Sequence, residues 1–301
     1  MEDRVRAFQQ AAVVLPPRLR QAAVELPYEL QGRAEEFRLR VGYPMTILEG
    51  DAEHVLGQEA VTPQDLEQLL ERASRASVHT ILEQLREGFV SVEGGHRVGF
   101  CGTTVIEQGE IRFLRALSSA AVRIARQFPG IAREVAEELF EHGRLQNTLI
   151  VAPPGGGKTS LLRDLIRTLS EGECGPGLRI GVADPRGELG ASAEGKCQLD
   201  LGCRTDLLHA CPKEKGIMLL LRTMNPQVIA VDEITQREDV YALLEAAGCG
   251  TALLATVHGS GREELEQRGV YRELLEKGIF RRMVLIRGRG GLRSYTVEVL
   301  R

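Results

Sequence analysis

Lysine and threonine directly after a run of glycines can grip phosphate, and the chain carries this combination at Pro153-Pro154-Gly155-Gly156-Gly157-Lys158-Thr159-Ser160. Glycines let backbone N–H groups turn toward phosphate oxygens with no side chain in the way, and a helix starting near Lys158 adds its positive N-terminal end. Pro154, Gly155, Gly156, Gly157, Lys158, Thr159 and Ser160 are therefore the expected nucleotide contacts. Lys158 would reach the β and γ phosphates of ATP, and the Thr159 hydroxyl would hold Mg2+. Ala152 stands where the simplest form of this pattern has its first glycine, a position that shapes the loop entry more than it meets phosphate.

Cleaving a phosphoanhydride also requires a metal to neutralise charge and a group to position the attacking water. The apolar run Val228-Ile229-Ala230-Val231 ends in Asp232-Glu233, which supplies both. Asp232 would orient the Mg2+ shell with Thr159, and Glu233 would polarise the water. His258 follows another apolar run and would sense the γ phosphate or stabilise product; an ordinary loop histidine is the alternative. Asp184, Arg186 and Glu188 sit after a third such run. Arg222 reads as a subunit-contact arginine or a surface charge.

The elements that must position these groups alternate in type. Leu149–Val151 leads through the glycine loop into a leucine-rich helix, and strands are expected at 179–183, 228–231 and 251–256. Helices are expected at 214–224 and 237–247. Polar residues at the end of each strand are the pattern of an α/β fold whose parallel sheet binds ligand along its C-terminal edge. A terminal hairpin is expected over 283–301, turning at 288–291. Ahead of the loop the pattern changes to a smaller α+β domain. Helices break at Pro16-Pro17, two strands turn at Gly42-Tyr43-Pro44, and a helix is capped by Thr62-Pro63. A helix over 78–86 and strands from Phe89 to Ile106 follow. The expected division is 1–125 for this domain, 126–142 for a linker and helix (131–142), and 143–301 for the P-loop domain.

Bulk properties narrow the classes. A chain of 301 residues can bury two cores, and 43% hydrophobic with 27% charged residues is a soluble composition. A formal charge of -4 opposes non-specific nucleic-acid binding. With no apolar run long enough to span a membrane and no signal-peptide core, a cytoplasmic protein that meets a membrane only through partners is expected. The six cysteines form no Cys-x-x-Cys unit, and the spacing of Cys197, Cys203, His209 and Cys211 matches no familiar zinc site.

The motifs Phe37-Arg38-Leu39-Arg40-Val41-Gly42, Gly94-Gly95-His96-Arg97-Val98-Gly99, the glycine loop, Asp184-Pro185-Arg186-Gly187-Glu188, Cys211-Pro212-Lys213 and Val231-Asp232-Glu233-Ile234 occur in order. Together they resemble the stage III sporulation protein AA family of endospore-forming bacteria, which is similar to the hexameric ATPases of type II and type IV secretion and of pilus systems. The resemblance implies a RecA-like ATPase domain. It also implies a homo-oligomer, partners among the membrane proteins of a sporulation channel complex, and a role in energising or gating a channel between mother cell and forespore. A motor of that kind implies arginines that reach a neighbour's nucleotide, for which Arg97, Arg115, Arg123 and Arg126 are candidates. Two rivals stand beside it. One is a nucleic-acid-associated ATPase, favoured by Arg281, Arg282, Arg287, Arg289 and Arg293; the other is a nucleotide-gated scaffold with negligible hydrolysis.

Overall fold

The computed structural model describes residues 1–74, 89–107, 110–192, 195–288 and 292–300. The expected helix over 78–86, Arg289 and most of the expected turn at 288–291 lie outside the described residues. The chain divides into two units, Met1–Arg126 with Ala191–Gln198, and Gln127–Gly190 with Leu199–Arg301.

In the first unit the described strands form an antiparallel sheet ordered β3-β2-β1-β6-β5-β4, with β1 at Glu36–Arg40, β2 at Pro44–Glu49, β3 at Ala52–Ala60, β4 at Phe89–Ser91, β5 at Arg97–Glu107 and β6 at Glu110–Arg123. The apolar residues of Glu2–Ala12, Pro17–Val24 and Pro63–Ala73 fall at helical spacing. Phe8, Leu19, Leu66 and Leu69 bury against Phe37, Leu39, Met45 and Ile47. The Phe8 and Phe37 rings meet at 4.9 Å. Thr62 accepts from the Asp65 N–H and Asp65 accepts from the Thr62 N–H, a reciprocal cap for the Pro63–Ala73 helix. β5 and β6 pair with β4 and β1 only near one end. Beyond Gly102 they continue as a two-stranded ribbon.

The second unit is a mixed sheet ordered β11-β10-β12-β13-β9-β14-β15 among the described residues. β9 (Thr148–Ala152), β10 (Ile180–Asp184), β11 (Thr205–His209), β12 (Val228–Val231), β13 (Ala252–His258) and β14 (Arg282–Arg287) run parallel, and β15 (Ser294–Val299) closes the edge antiparallel. Alternation along β9 explains why the central strands read as continuous apolar runs. Leu149 and Val151 enter a core with Ile217, Leu243 and Leu274, while Ile150 and Ala152 enter a second core with Leu161 and Leu165 on the other face. Burying one leucine or isoleucine side chain contributes roughly 1.5–3 kcal/mol, so two filled faces fix the register of the strand that delivers the glycine loop. The expected helix over 131–142 is shorter, Arg133–Glu138. Phe140–Glu141 instead pairs with Arg144–Leu145 in a small hairpin whose turn places His142 and Gly143 at positive φ. No helix among the described residues is long and apolar enough to cross a membrane.

Candidate nucleotide site

The glycine loop joins buried β9 to the helix Lys158–Glu171. Gly157 caps this helix at φ 97°, a left-handed conformation that side chains other than glycine rarely adopt. A Cβ on Gly156 would lie 2.7 Å from Cβ of Ala152 and 2.8 Å from the Pro153 carbonyl. The alanine in place of the first glycine therefore supports the loop from beneath, and a larger residue would collide with it. Pro154 and Gly155 are exposed, Gly156 is buried, and Thr159 and Ser160 are half-buried. Ser160 lines a small cleft with Gln127 and Arg163, away from the carboxylates of the site.

Lys158 is 5% exposed although it is a cation. Its ammonium donates to the carbonyls of Ala152 (3.1 Å) and Pro153 (3.3 Å) and to Nδ1 of His258 at 2.7 Å. Burial lowers its pKa, opposed by Asp232, Glu233 and Glu188. His258 is the last residue of β13 and stands opposite Ala152 in the sheet register. Because Nδ1 accepts from an ammonium, the proton of the neutral ring belongs on Nε2, which lies 3.0 Å from Oε1 of Glu233. Lys158, His258 and Glu233 thus form a continuous polar line.

Thr159 donates to Oδ2 of Asp232 at 2.6 Å, and Thr256 donates to Oδ1 at 2.5 Å. The Thr256 hydroxyl also accepts the Glu233 N–H at 2.7 Å. Glu233 itself is left-handed, at φ 53°, an arrangement costing on the order of 1 kcal/mol for a non-glycine residue. Its N–H is held by Thr256, its carbonyl by the Lys213 ammonium, and the next N–H, of Ile234, by the Thr256 carbonyl. The kink turns the Glu233 carboxylate back toward His258 and to within 3.8 Å of Arg186.

Asp184 is buried and accepts the N–H groups of Glu188, Leu189 and Gly190 at 2.8–3.0 Å. Burial raises its pKa, and these donors partly offset the rise. Asp184 thereby shapes the loop that carries Arg186 to Glu233. Thr256 and Lys213 carry structural duties that their sequence motifs do not state. A clue to Lys213 is that it begins the helix Lys213–Thr223, where a cation opposes the helix dipole. Asp239, 3.4 Å away, and the Glu233 carbonyl offset that cost.

The structure therefore gathers Lys158, Thr159, Asp232, Glu233 and His258 into one site, with Pro154–Gly157 over it. Arg222 is exposed on its helix. Of the first-unit arginines, Arg97 stacks on Phe89 at 4.4 Å, and Arg126 donates to the Ala34 carbonyl. Arg123 pairs with Glu36 at 3.1 Å while mostly exposed, and Arg115 is exposed on the ribbon. Among the described residues no three His, Cys, Asp or Glu side chains group as metal ligands, the Cys197–Cys211 region included.

A P-loop domain of this topology, preceded by a smaller α+β domain, has the fold of secretion and pilus-motor ATPases. The chain aligns with the ATPase DotB of Yersinia pseudotuberculosis at TM-score 0.61 and 15% identity, covering 94% of this chain and 78% of that one. It aligns with the pilus retraction motor PilT, solved with bound ADP, at TM-score 0.59 and 18% identity, covering 89% and 80%. In sequence, the family model for sporulation stage III, protein AA matches residues 6–294. Stage III sporulation protein AA of Bacillus subtilis (strain 168) is 38% identical over 283 residues, 93% of this chain and 92% of that one. The chain belongs to the sporulation stage III protein AA family.

Proposed function

We propose that the protein is a Mg2+-dependent ATP hydrolase that works as a homo-oligomer, of hexameric form in the resembled motors, to energise or gate a membrane channel complex between mother cell and forespore. One observation carries the reading: Lys158, Thr159, Asp232, Glu233 and His258 converge from three adjacent strands onto one glycine loop. The residues suit the ligands. Gly155 and Gly157, both at positive φ, let the loop turn its backbone as a phosphate cradle requires, and Thr159 with Asp232 offers the hard oxygen donors that Mg2+ prefers. Bound Mg2+ would neutralise phosphate charge. Lys158 gives up its carbonyl contacts to bind phosphate. Glu233, oriented by His258 and its backbone kink, accepts a hydrogen bond from the attacking water and takes its proton.

Action on a channel rests on family membership, and the protein would sit in the cytoplasm, peripheral to the membrane through partners. Arg115 and Arg123, exposed in the first unit, are the candidates to reach a neighbour's phosphate. The nucleic-acid reading loses support because Arg282 bonds Glu141 and the Glu138 carbonyl, and Arg293 lies on the glycine loop. The test is turnover by the purified full chain with Mg2+ and ATP, with oligomeric state measured in parallel. Turnover that vanishes in Lys158→Ala supports the hydrolase. A ring that binds ATP with no turnover would replace it with a nucleotide-gated scaffold.

A further inference from the structure

Arg293 reaches the glycine loop from 138 positions away along the chain, donating from Nη2 to the Gly155 carbonyl at 3.3 Å. A Cβ on Gly157 would fall 2.9 Å from both Cζ and Nε of Arg293, so the guanidinium lies flat over the space that this glycine leaves open. Its Nε is buried and has no hydrogen-bond partner. Among the described residues Arg293 makes no salt bridge, and its one hydrogen-bond acceptor is a neutral carbonyl. A half-buried cation with an unused donor, resting on a loop whose N–H groups suit an anion, is short of a negative partner.

Strand order says which anion. β9 lies between β13 and β14 in the sheet, with Glu233 and His258 on the β12–β13 side and Arg293 just before β15, beyond β14. The hydrolytic groups and Arg293 therefore flank the loop from opposite sides. We propose that Arg293 binds the α- and β-phosphates of a nucleoside di- or triphosphate within the same chain, exchanging the Gly155 carbonyl for a phosphate oxygen when nucleotide enters. This inference rests on the loop being a nucleotide site. Its cation comes from the C-terminal hairpin rather than from the P-loop, and one nucleotide would thereby tie that hairpin to the loop.

The test is calorimetric titration of the full chain with ADP and with a non-hydrolysable ATP analogue, alongside thermal unfolding. Arg293→Ala is expected to weaken both ligands by the same factor, about 10- to 100-fold, the range of a charge-assisted contact. Arg293→Lys is expected to recover part of the loss, with the unfolding midpoint of the ligand-free protein unchanged. Wild-type affinity for both ligands in Arg293→Ala, while Lys158→Ala loses binding, would overturn this inference and leave the nucleotide site standing. A loss confined to the ATP analogue would place the guanidinium at the γ-phosphate, and also overturn it. So would a weakening that tracks a lowered unfolding midpoint and is not relieved by lysine. Absence of binding by the wild type would remove the site and the inference together.

Discussion

His258 accepts a hydrogen bond from Lys158 at 2.7 Å, which ties the lysine of the glycine loop to the ring that faces Glu233. Phosphate arriving at Lys158 would compete with that bond, so under the proposed function nucleotide occupancy and the setting of Glu233 would be linked through one imidazole. His258→Ala removes the link and leaves the cradle intact. ADP affinity should stay within about threefold of wild type, while kcat falls about 10- to 100-fold through loss of orientation at Glu233. Titration and steady-state turnover on the same preparation would check the split.

Glu233→Gln keeps the size of the side chain and abolishes its basicity. Nucleotide affinity should be nearly unchanged, and turnover should drop by at least about 100-fold, the lower end for loss of a general base. Undiminished turnover would remove Glu233 from the mechanism.

Thr256 is fully buried and serves Asp232 and the Glu233 N–H with a single hydroxyl. Thr256→Val keeps the shape but strands both partners, which should cost about 1–3 kcal/mol in denaturant unfolding. Thr256→Ser should recover most of that stability and the activity. A stable Thr256→Val beside a destabilised Thr256→Ser would mean that the methyl group, not the hydroxyl, matters at this position.

Ala152 underlies Gly156 closely enough that only a small residue fits. Ala152→Gly should bind nucleotide within about twofold of wild type. Ala152→Val should displace the loop and weaken binding by tenfold or more, through an overpacking cost of about 1–3 kcal/mol. Both are read by the same titration.

His96 is buried in the first unit, where Nδ1 accepts the Ala125 N–H, and burial lowers its pKa to about 4. The unfolded chain takes up a proton at this histidine near pH 6.5, and the folded chain does so only near pH 4. Stability from this group is therefore fully present above pH 6.5 and declines as pH falls toward 4, by about 3 kcal/mol in total. Unfolding free energies measured at pH 7 and pH 4.5 should show the decline in the wild type, and His96→Gln should lack that share of it.

The P-loop strand, its helix and the strands ending in Asp232 and His258 are legible in the sequence because full burial on both faces leaves uninterrupted apolar runs bounded by glycine or acid. β11 and β3 escape notice because they lie at sheet edges. Thr205–His209 is partly exposed throughout, and Ala52–Ala60 buries only Leu56, so neither has an apolar repeat to read. The helices Arg262–Gln267 and Gly269–Glu276 are too short for their periodicity to stand out. Within the site, residue types announce Lys158, Thr159, Asp232 and Glu233. The left-handed turn at Glu233 and the placement of Lys213 and Arg293 come from contacts between distant segments, which spacing along the chain does not encode.

The first unit includes Ala191–Gln198, where Gln198 accepts the Gly94 N–H at 3.1 Å. That unit is therefore discontinuous along the chain. During synthesis it has to wait, incomplete, until the P-loop strand and helix and β10 have left the ribosome, and a fragment ending at Arg126 would lack part of its own fabric. Excision of the amino-terminal half as a free-standing domain would best be done by grafting the 191–198 segment onto it rather than by a single cut.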